Sequence, residues 1–390
     1  MKIGVFGGSF NPPHIGHTQS ASRAAQQLGL DLLIVVPAGI PPHKPLPEGT
    51  PCAEDRLEMA RLAFAGMADT IVSPAEVHSS QACYTIDTIN ALSREYPGSE
   101  LYLLIGTDMY FTLDTWKDAA DLLRIVTPAV FARDEGDPEL VSAFAKQLEA
   151  TYGASTAVIT GGITDISSSR LRGMLPEREG AGYIIDATYS YIVKRRLYAA
   201  KPDWDWLRAK ANGMLAPSRV AHVAGCESEA LRLAKRWGAN ADDAREAALL
   251  HDITKILDAD GHMALLDRYG SDELRPPPDE EKLLHSKTGA LVAREEFGVS
   301  DEVAGAILWH TTGRANMTLL EKVIYLTDYI EPTREIEGLE ELKLLAYKDI
   351  DAAMCLGLEM SIRDMRERGI TPNNVTFDAL EDIRNGITEK

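Results

Sequence analysis

KIGVFGGSFNPPHIGH, residues 2–17, decides how the rest of the chain is read. A run of β-formers ends in Gly7 and Gly8, and a loop stiffened by Pro12 and Pro13 leads into a helix beginning near Ile15. Glycines let backbone come close to a ligand, and prolines fix the turn. His14 and His17 stand at the helix start, where unpaired amides favour phosphate and imidazoles can donate to its oxygens. Strand, glycine loop and helix start together point to polyphosphate binding. A tight turn whose histidines merely cap or pack is the competing reading, so further stretches have to decide.

Outward from this stretch, short apolar runs alternate with helical patterns as far as about residue 165. The runs KIGVFGG, DLLIVVPAG, DTIVSPAEV, ELYLLIGTD, IVTPAVFAR and TAVITGG read as strands, with helices such as EDRLEMARLAFAG and YTIDTINALSREY between them. This is the signature of a parallel α/β sheet, which takes its ligands beyond the carboxyl ends of its strands. From about Trp204 the pattern becomes amphipathic helix without a convincing strand, as in SRVAHVAGCESEALRLAKRWG, DDAREAALLHDITKIL, SKTGALVAREEFG and TLLEKVIYLTDYI. A proline and a polar turn in LYAAKPDWDW place a domain boundary near Lys201, giving domains 1–200 and 201–390, and no internal repeat is found.

The 390 residues suit two domains of ordinary size, and 45% hydrophobic with 25% charged residues is a globular composition. The net charge of −19 would repel a long polyphosphate backbone, so nucleic acid is an unexpected partner, whereas a small anion can still be held by local cations. No apolar stretch builds a signal peptide or approaches membrane-spanning length, and a cytoplasmic location is expected. Cys52, Cys83, Cys226 and Cys355 are scattered without a CxxC pair, as expected of reduced thiols. The sequence leaves room for a homo-oligomer.

Two more loops join the first. Lys44, in IPPHKP after the second strand, could neutralise charge on a transferring phosphoryl group. DISSSRLRGML (165–175) places serines at a helix start and Arg170 and Arg172 one turn in, a second anion cradle. A solvent lysine and a plain serine cap would explain each alone; the three stretches together favour a polyphosphate site.

The motifs GGSFNPPHIGH, IPPHKP, YTIDT, LLIGTDM, TWKDAADLL and DISSSRLR occur in this order over about residues 1–198. The region resembles bacterial nicotinate mononucleotide adenylyltransferase, of the HxGH nucleotidyltransferase superfamily. The resemblance implies a Rossmann-like fold and transfer of AMP from ATP, brought with Mg2+, to nicotinate mononucleotide, giving deamido-NAD and pyrophosphate in NAD biosynthesis. By position it implies that His14 and His17 hold the ATP phosphates, with His17 stabilising the pentacovalent transition state. Lys44 would contact phosphate from the facing loop, and Ser168 and Arg172 the β- and γ-phosphates. Gly7, Gly8, Ser9, Phe10, Gly106 and Ser167 would border the substrates, and Asp108 would lie near the adenylate. Thr85 would offer its backbone to the nicotinate carboxylate, and Trp116 would stack on the pyridine ring, an acid rather than amide acceptor being favoured. Asn11 stands where aspartate is expected most often; its amide keeps an acceptor oxygen and drops a charge.

The second half collects His222, His251, Asp252, His285, His310 and Asp328 in apolar helical contexts. Solvated histidines would be the ordinary explanation of any one of them. Imidazole and carboxylate without thiolate is a ligand set suited to hydrolytic iron, manganese, cobalt or zinc. His251 and Asp252 are expected inside a helix, where a metal would relieve the buried charge, with Lys255 on the same face reaching a substrate phosphate.

These residues resemble the HD-domain metallophosphohydrolases, more narrowly the bacterial family that hydrolyses diadenosine tetraphosphate symmetrically to ADP. The resemblance covers roughly residues 203–390 and implies an all-α HD-type domain. His222, His251, Asp252 and Asp328 match the HD signature, Asp252 could bridge two metals with His285 and His310 completing a second site, and iron is the foremost of the one or two ions implied. Thr311, Gly313 and Arg334 would border the nucleotide. The whole chain then reads as a bifunctional enzyme, the alternatives being an HD half that acts on another nucleotide phosphate or senses one without turnover, and a nucleotide-binding scaffold.

Overall fold

A computed structural model of the chain describes all residues except 41–45, 80, 132–136, 163, 272–273, 276–282, 335–336 and 389–390, together with the side chain of residue 137. The chain divides into two compact units, Met1–Asp203 and Trp204–Lys390.

The first unit is built on six strands: β1 (Lys2–Gly8), β2 (Leu32–Pro37), β3 (Thr70–Val72), β4 (Glu100–Gly106), β5 (Val126–Phe131) and β6 (Ala157–Ile159). They lie in the order β3-β2-β1-β4-β5-β6 and every neighbouring pair is parallel, with Val5 opposite both Ile34 and Leu103. Each of the six apolar runs of the sequence thus holds a strand. Successive side chains leave opposite faces of a strand. Ile3, Val5, Ile34, Val36, Leu101 and Leu103 accordingly meet Ile86, Ile89 and Leu92 of the helix Thr85–Glu95 in one core. Phe6, Leu33, Val35 and Leu104 meet Ala21, Ala24, Ala60 and Phe64 of helices Ile15–Leu28 and Ala53–Phe64 in the other. Burial on both faces is what makes these strands continuously apolar. The order reverses between β1 and β4, the crevice where such sheets accept ligands, and the 9–14 loop leaves β1 there.

Among its described residues the second unit is helical, with one large apolar cluster. Helix Ala241–Leu250 lies at its centre because Ala244, Ala247 and Ala248 are small enough for helices Val220–Trp237 and Leu319–Ile330 to pack closely on it. Asn240 starts this helix by accepting from the amides of Asp242 and Asp243 at 2.9 and 3.3 Å. Thr318 and Glu321 cap Leu319–Ile330 reciprocally, Glu321 accepting from the Thr318 amide at 2.9 Å. Among the described residues no helix is long and apolar enough to cross a membrane.

One expectation is corrected. The helix carrying LLHDITK ends at Leu250, and residues 251–256 form turns. His251 is the capping residue, still with helical φ and ψ of −60° and −32°, and Asp252 lies in the turns after it. His310 likewise follows its helix, Asp301–Trp309, as the capping residue.

Candidate active sites

The first site sits beyond the carboxyl end of β1. His14 is 3% exposed and its ring lies 3.7 Å, centroid to centroid, from that of His17. The backbone amide of His14 donates to His17 Nδ1 at 3.1 Å, which leaves the proton of a neutral His17 ring on Nε2. Around them the loop is held by its own carbonyls. Buried Arg56 donates to the carbonyls of Ser9 at 3.0 Å and Gly39 at 2.9 Å, tying the loop after β1 to the loop after β2. Arg172 donates to the Asn11 carbonyl at 2.7 Å and the Ser168 hydroxyl to that of Pro12 at 2.8 Å.

Several residues expected at the phosphates and substrates also bond or pack within the protein itself. Ser168 and Arg172 bond loop backbone, although a guanidinium retains donors for an anion. Ser167 is the cap of helix Ser168–Met174, accepting from the Arg170 amide at 3.2 Å. The Phe10 ring is 1% exposed and packs edge-on against Phe6, Phe64 and His17, so only its backbone can border a ligand. Gly7 and Gly8 end β1; Gly106 ends β4 and precedes exposed Asp108. Thr85 opens its helix, and half-buried Trp116 donates from Nε1 to Thr112 Oγ1 at 3.1 Å. Lys44 lies outside the described residues.

In the second unit the six sequence candidates converge. Asp252 Oδ2 is 3.7 Å from His222 Nε2 and 3.4 Å from His251 Nε2, while its Oδ1 is 3.7 Å from His285 Nε2 and 3.8 Å from His310 Nε2. Asp328 Oδ1 adds contacts of 3.0 Å to His222 and 4.0 Å to His251. One carboxylate thus faces a different imidazole pair with each oxygen, as a ligand shared by two ions must.

The rings are aimed from behind. His222 Nδ1 pairs with Glu331 Oε1 at 3.0 Å, His251 Nδ1 with the Ala248 carbonyl at 2.8 Å and His310 Nδ1 with that of Ile307 at 2.6 Å. Each acceptor turns Nε2 inward, the outer-shell arrangement of metal-binding histidines. The Nε2 atoms of His251 and His310 are buried and make no hydrogen bond. Buried polar atoms are almost always satisfied, so these fit a bound cation. Burial disfavours the charged form of Asp252, but His251 and Lys255 outweigh it and hold the carboxyl well below the usual range. Burial first, then His251 and His285, push His310 down to about 3, leaving its ring neutral as a ligand requires.

Cations surround the carboxylates. Arg219 bonds Asp252 Oδ2, Lys255 Nζ lies 3.1 and 3.3 Å from its two oxygens, and Arg334 donates to Asp328 at 2.7 Å. A cavity of about 640 Å³ opens here, its walls including Lys255, His310, Thr311, Asp328 and Arg334. Gly313 is not among them: it is buried at φ 65°, with Ala379, Met317 and Leu358 against it, and serves the turn after Trp309.

The cytidylyltransferase-like family model matches residues 5–174, and the HD domain model residues 219–333. A probable nicotinate-nucleotide adenylyltransferase of Gemmatimonas aurantiaca is 34% identical over 206 residues, covering 52% of this chain and 94% of that protein. One from Gloeobacter violaceus is 37% identical over 199 residues, covering 50% of this chain and 96% of its own. The chain belongs, through its first unit, to the nicotinate-nucleotide adenylyltransferase family. A crystal structure described as a predicted HD superfamily hydrolase involved in NAD metabolism, from Clostridium acetobutylicum, is 31% identical, covering 48% of this chain and 98% of that one with a TM-score of 0.44.

Beside the residues that mark this adenylyltransferase family member in sequence, the structure brings forward others. Arg56, Glu331 and Arg219 carry no motif of their own; each is identified by a partner far along the chain. Cys226, one turn after His222, lies 3.6 Å from its Nε2, and burial pushes the thiol well above its ordinary value. It stands with His222, His251 and Asp328 in a group whose ligand atoms lie within 4.8 Å of one another.

Proposed function

We propose that the first unit transfers AMP from ATP to nicotinate mononucleotide, releasing deamido-NAD and pyrophosphate. The observation that carries this is the His14–His17 ring pair at the start of a 14-residue helix, in a loop whose carbonyls are already bonded. The substrate phosphate attacks the α-phosphorus directly, so no side chain has to act as a nucleophile. What the protein supplies is alignment and charge: helix amides and the His17 Nε2 proton at the phosphates, Lys44 and the remaining Arg172 donors around them, and Trp116 and the Thr85 backbone at the nicotinate. Alignment alone can supply roughly 7–11 kcal/mol. Deamido-NAD formation from ATP, Mg2+ and the acid mononucleotide tests the reading. His17→Ala is expected to lower kcat roughly 10²- to 10³-fold; an unaltered kcat, or preference for the amide acceptor, refutes it.

For the second unit we infer a metal-dependent phosphohydrolase that cleaves diadenosine tetraphosphate symmetrically to ADP. Its support is the Asp252 carboxylate facing His222 and His251 on one side and His285 and His310 on the other. Those residues with Asp328 would hold one or two divalent ions, iron foremost, and bound ions of this kind activate water and stabilise both entering and leaving oxygens. Lys255, Thr311 and Arg334 line the space for the nucleotide. Metal analysis followed by product analysis with diadenosine tetraphosphate is the test: ADP alone is expected, abolished in Asp252→Asn. Another nucleotide cleaved in its place moves the substrate, and binding without turnover makes this unit a sensor.

A further inference from the structure

Asn11 occupies the loop position where a charge is expected, and the structure gives its amide two definite partners. Nδ2 donates to Thr50 Oγ1 at 2.9 Å, and Oδ1 accepts from the Tyr198 hydroxyl at 2.8 Å. Thr50 directs its own proton to the Pro47 carbonyl at 2.6 Å, which fixes its oxygen as the acceptor. The Asn11 side chain is 2% exposed. Its backbone carbonyl takes the Arg172 bond, so the residue is held at side chain and main chain together.

Tyr198 reaches Asn11 from an unusual backbone. Arg196, Tyr198 and Ala199 have φ of 47°, 60° and 53°. Non-glycine residues persist in this region where surrounding contacts over-determine them, and such clusters accompany functional sites. Here the flanks are fastened: the Lys201 amide donates to the Leu175 carbonyl at 3.1 Å, the Arg178 guanidinium donates to the Pro202 carbonyl at 2.9 Å, and Ala200 is fully buried. Burial pushes the Tyr198 phenol up, keeping it a donor at every working pH. From this segment the Tyr198 hydroxyl reaches Asn11 in the loop ahead of His14.

We propose that Tyr198 is a positioning residue for adenylyl transfer, which through Asn11 fixes the loop that leads to His14 and to His17 on the helix after it. This rests on the activity proposed for the first unit. Tyr198 touches no reacting atom; it sets where the loop backbone and the two imidazoles stand, and misplacement on the ångström scale is enough to lower turnover greatly.

The test uses the full chain and measures kcat and KM for ATP and nicotinate mononucleotide, with thermal melting as a control. Tyr198→Phe, which removes only the hydroxyl, is expected to lower kcat roughly 10- to 100-fold with both KM values within about threefold. Asn11→Ala should fall as far and Asn11→Asp, which keeps an acceptor for Tyr198, should retain most turnover. The Tyr198→Phe/Asn11→Ala double variant should be no worse than its poorer parent. Equal kcat in wild type and Tyr198→Phe, additive losses, or a kcat loss matched by early melting in both Tyr198→Phe and Asn11→Ala would overturn the proposal. If Tyr198→Phe does not fold, the contrast between Asn11→Ala and Asn11→Asp decides alone. An inactive wild type would instead overturn the transferase reading and this inference with it.

Discussion

The gathering of the second unit's histidines and carboxylates was foreshadowed by their apolar contexts and by the HD resemblance, and the structure brings them to one cluster. What aims them was not foreshadowed. Glu331 holds His222 across 109 positions of sequence, a pairing that no local pattern encodes. Its second oxygen accepts the Thr333 amide at 2.8 Å, so the carboxylate is itself oriented. Glu331→Gln keeps the shape and removes the charge, and metal affinity is expected to fall roughly 10- to 100-fold. Competition against a chelator of known affinity measures this; unchanged affinity would show that the ring is held in some other way. In the first unit, Phe10 shows the converse. Its place in the motif suggested substrate contact, yet a large apolar ring beside Phe6 and Phe64 goes to the core.

At the scale of the element, strands were read well because β1, β2, β4 and β5 bury both faces, which writes an unbroken apolar run into the sequence. Helix ends were read poorly where a functional residue follows the last turn. At His251 and His310 the ring nitrogen bonds the carbonyl three residues back, one of the carbonyls a helix end leaves unpaired. A periodic pattern does not reveal that the helix has already stopped. Gly225 shows another element-level constraint. It lies within the helix Val220–Trp237, and a β-carbon there would clash with Glu331 Oε2. On helix propensity alone, alanine would stabilise by about 1 kcal/mol. Gly225→Ala is instead expected to displace Glu331 from His222 and weaken metal binding, as followed by calorimetric titration of the metal-free protein. Tighter binding with a higher melting temperature would mean that the glycine serves no such approach.

For the whole molecule, each unit closes a core of its own, and among the described residues the candidate metal-binding groups of imidazole and carboxylate lie in the second. Added metal should therefore raise one of two calorimetric transitions, by about 2.7 kcal/mol at a hundredfold excess over Kd, and leave the other in place. A shift in both, or in neither, contradicts this assignment. The first unit's bonds carry a different lesson when their separation along the chain is considered. Asn11 is tied to Arg172 and Tyr198, 161 and 187 residues downstream. In a growing polypeptide Arg56 and Thr50 can tie this loop early, but the bonds from Arg172 and Tyr198 wait until nearly all of the first 203 residues have been made. Synthesis order alone thus delays the last ties on this loop until the second unit is about to be translated.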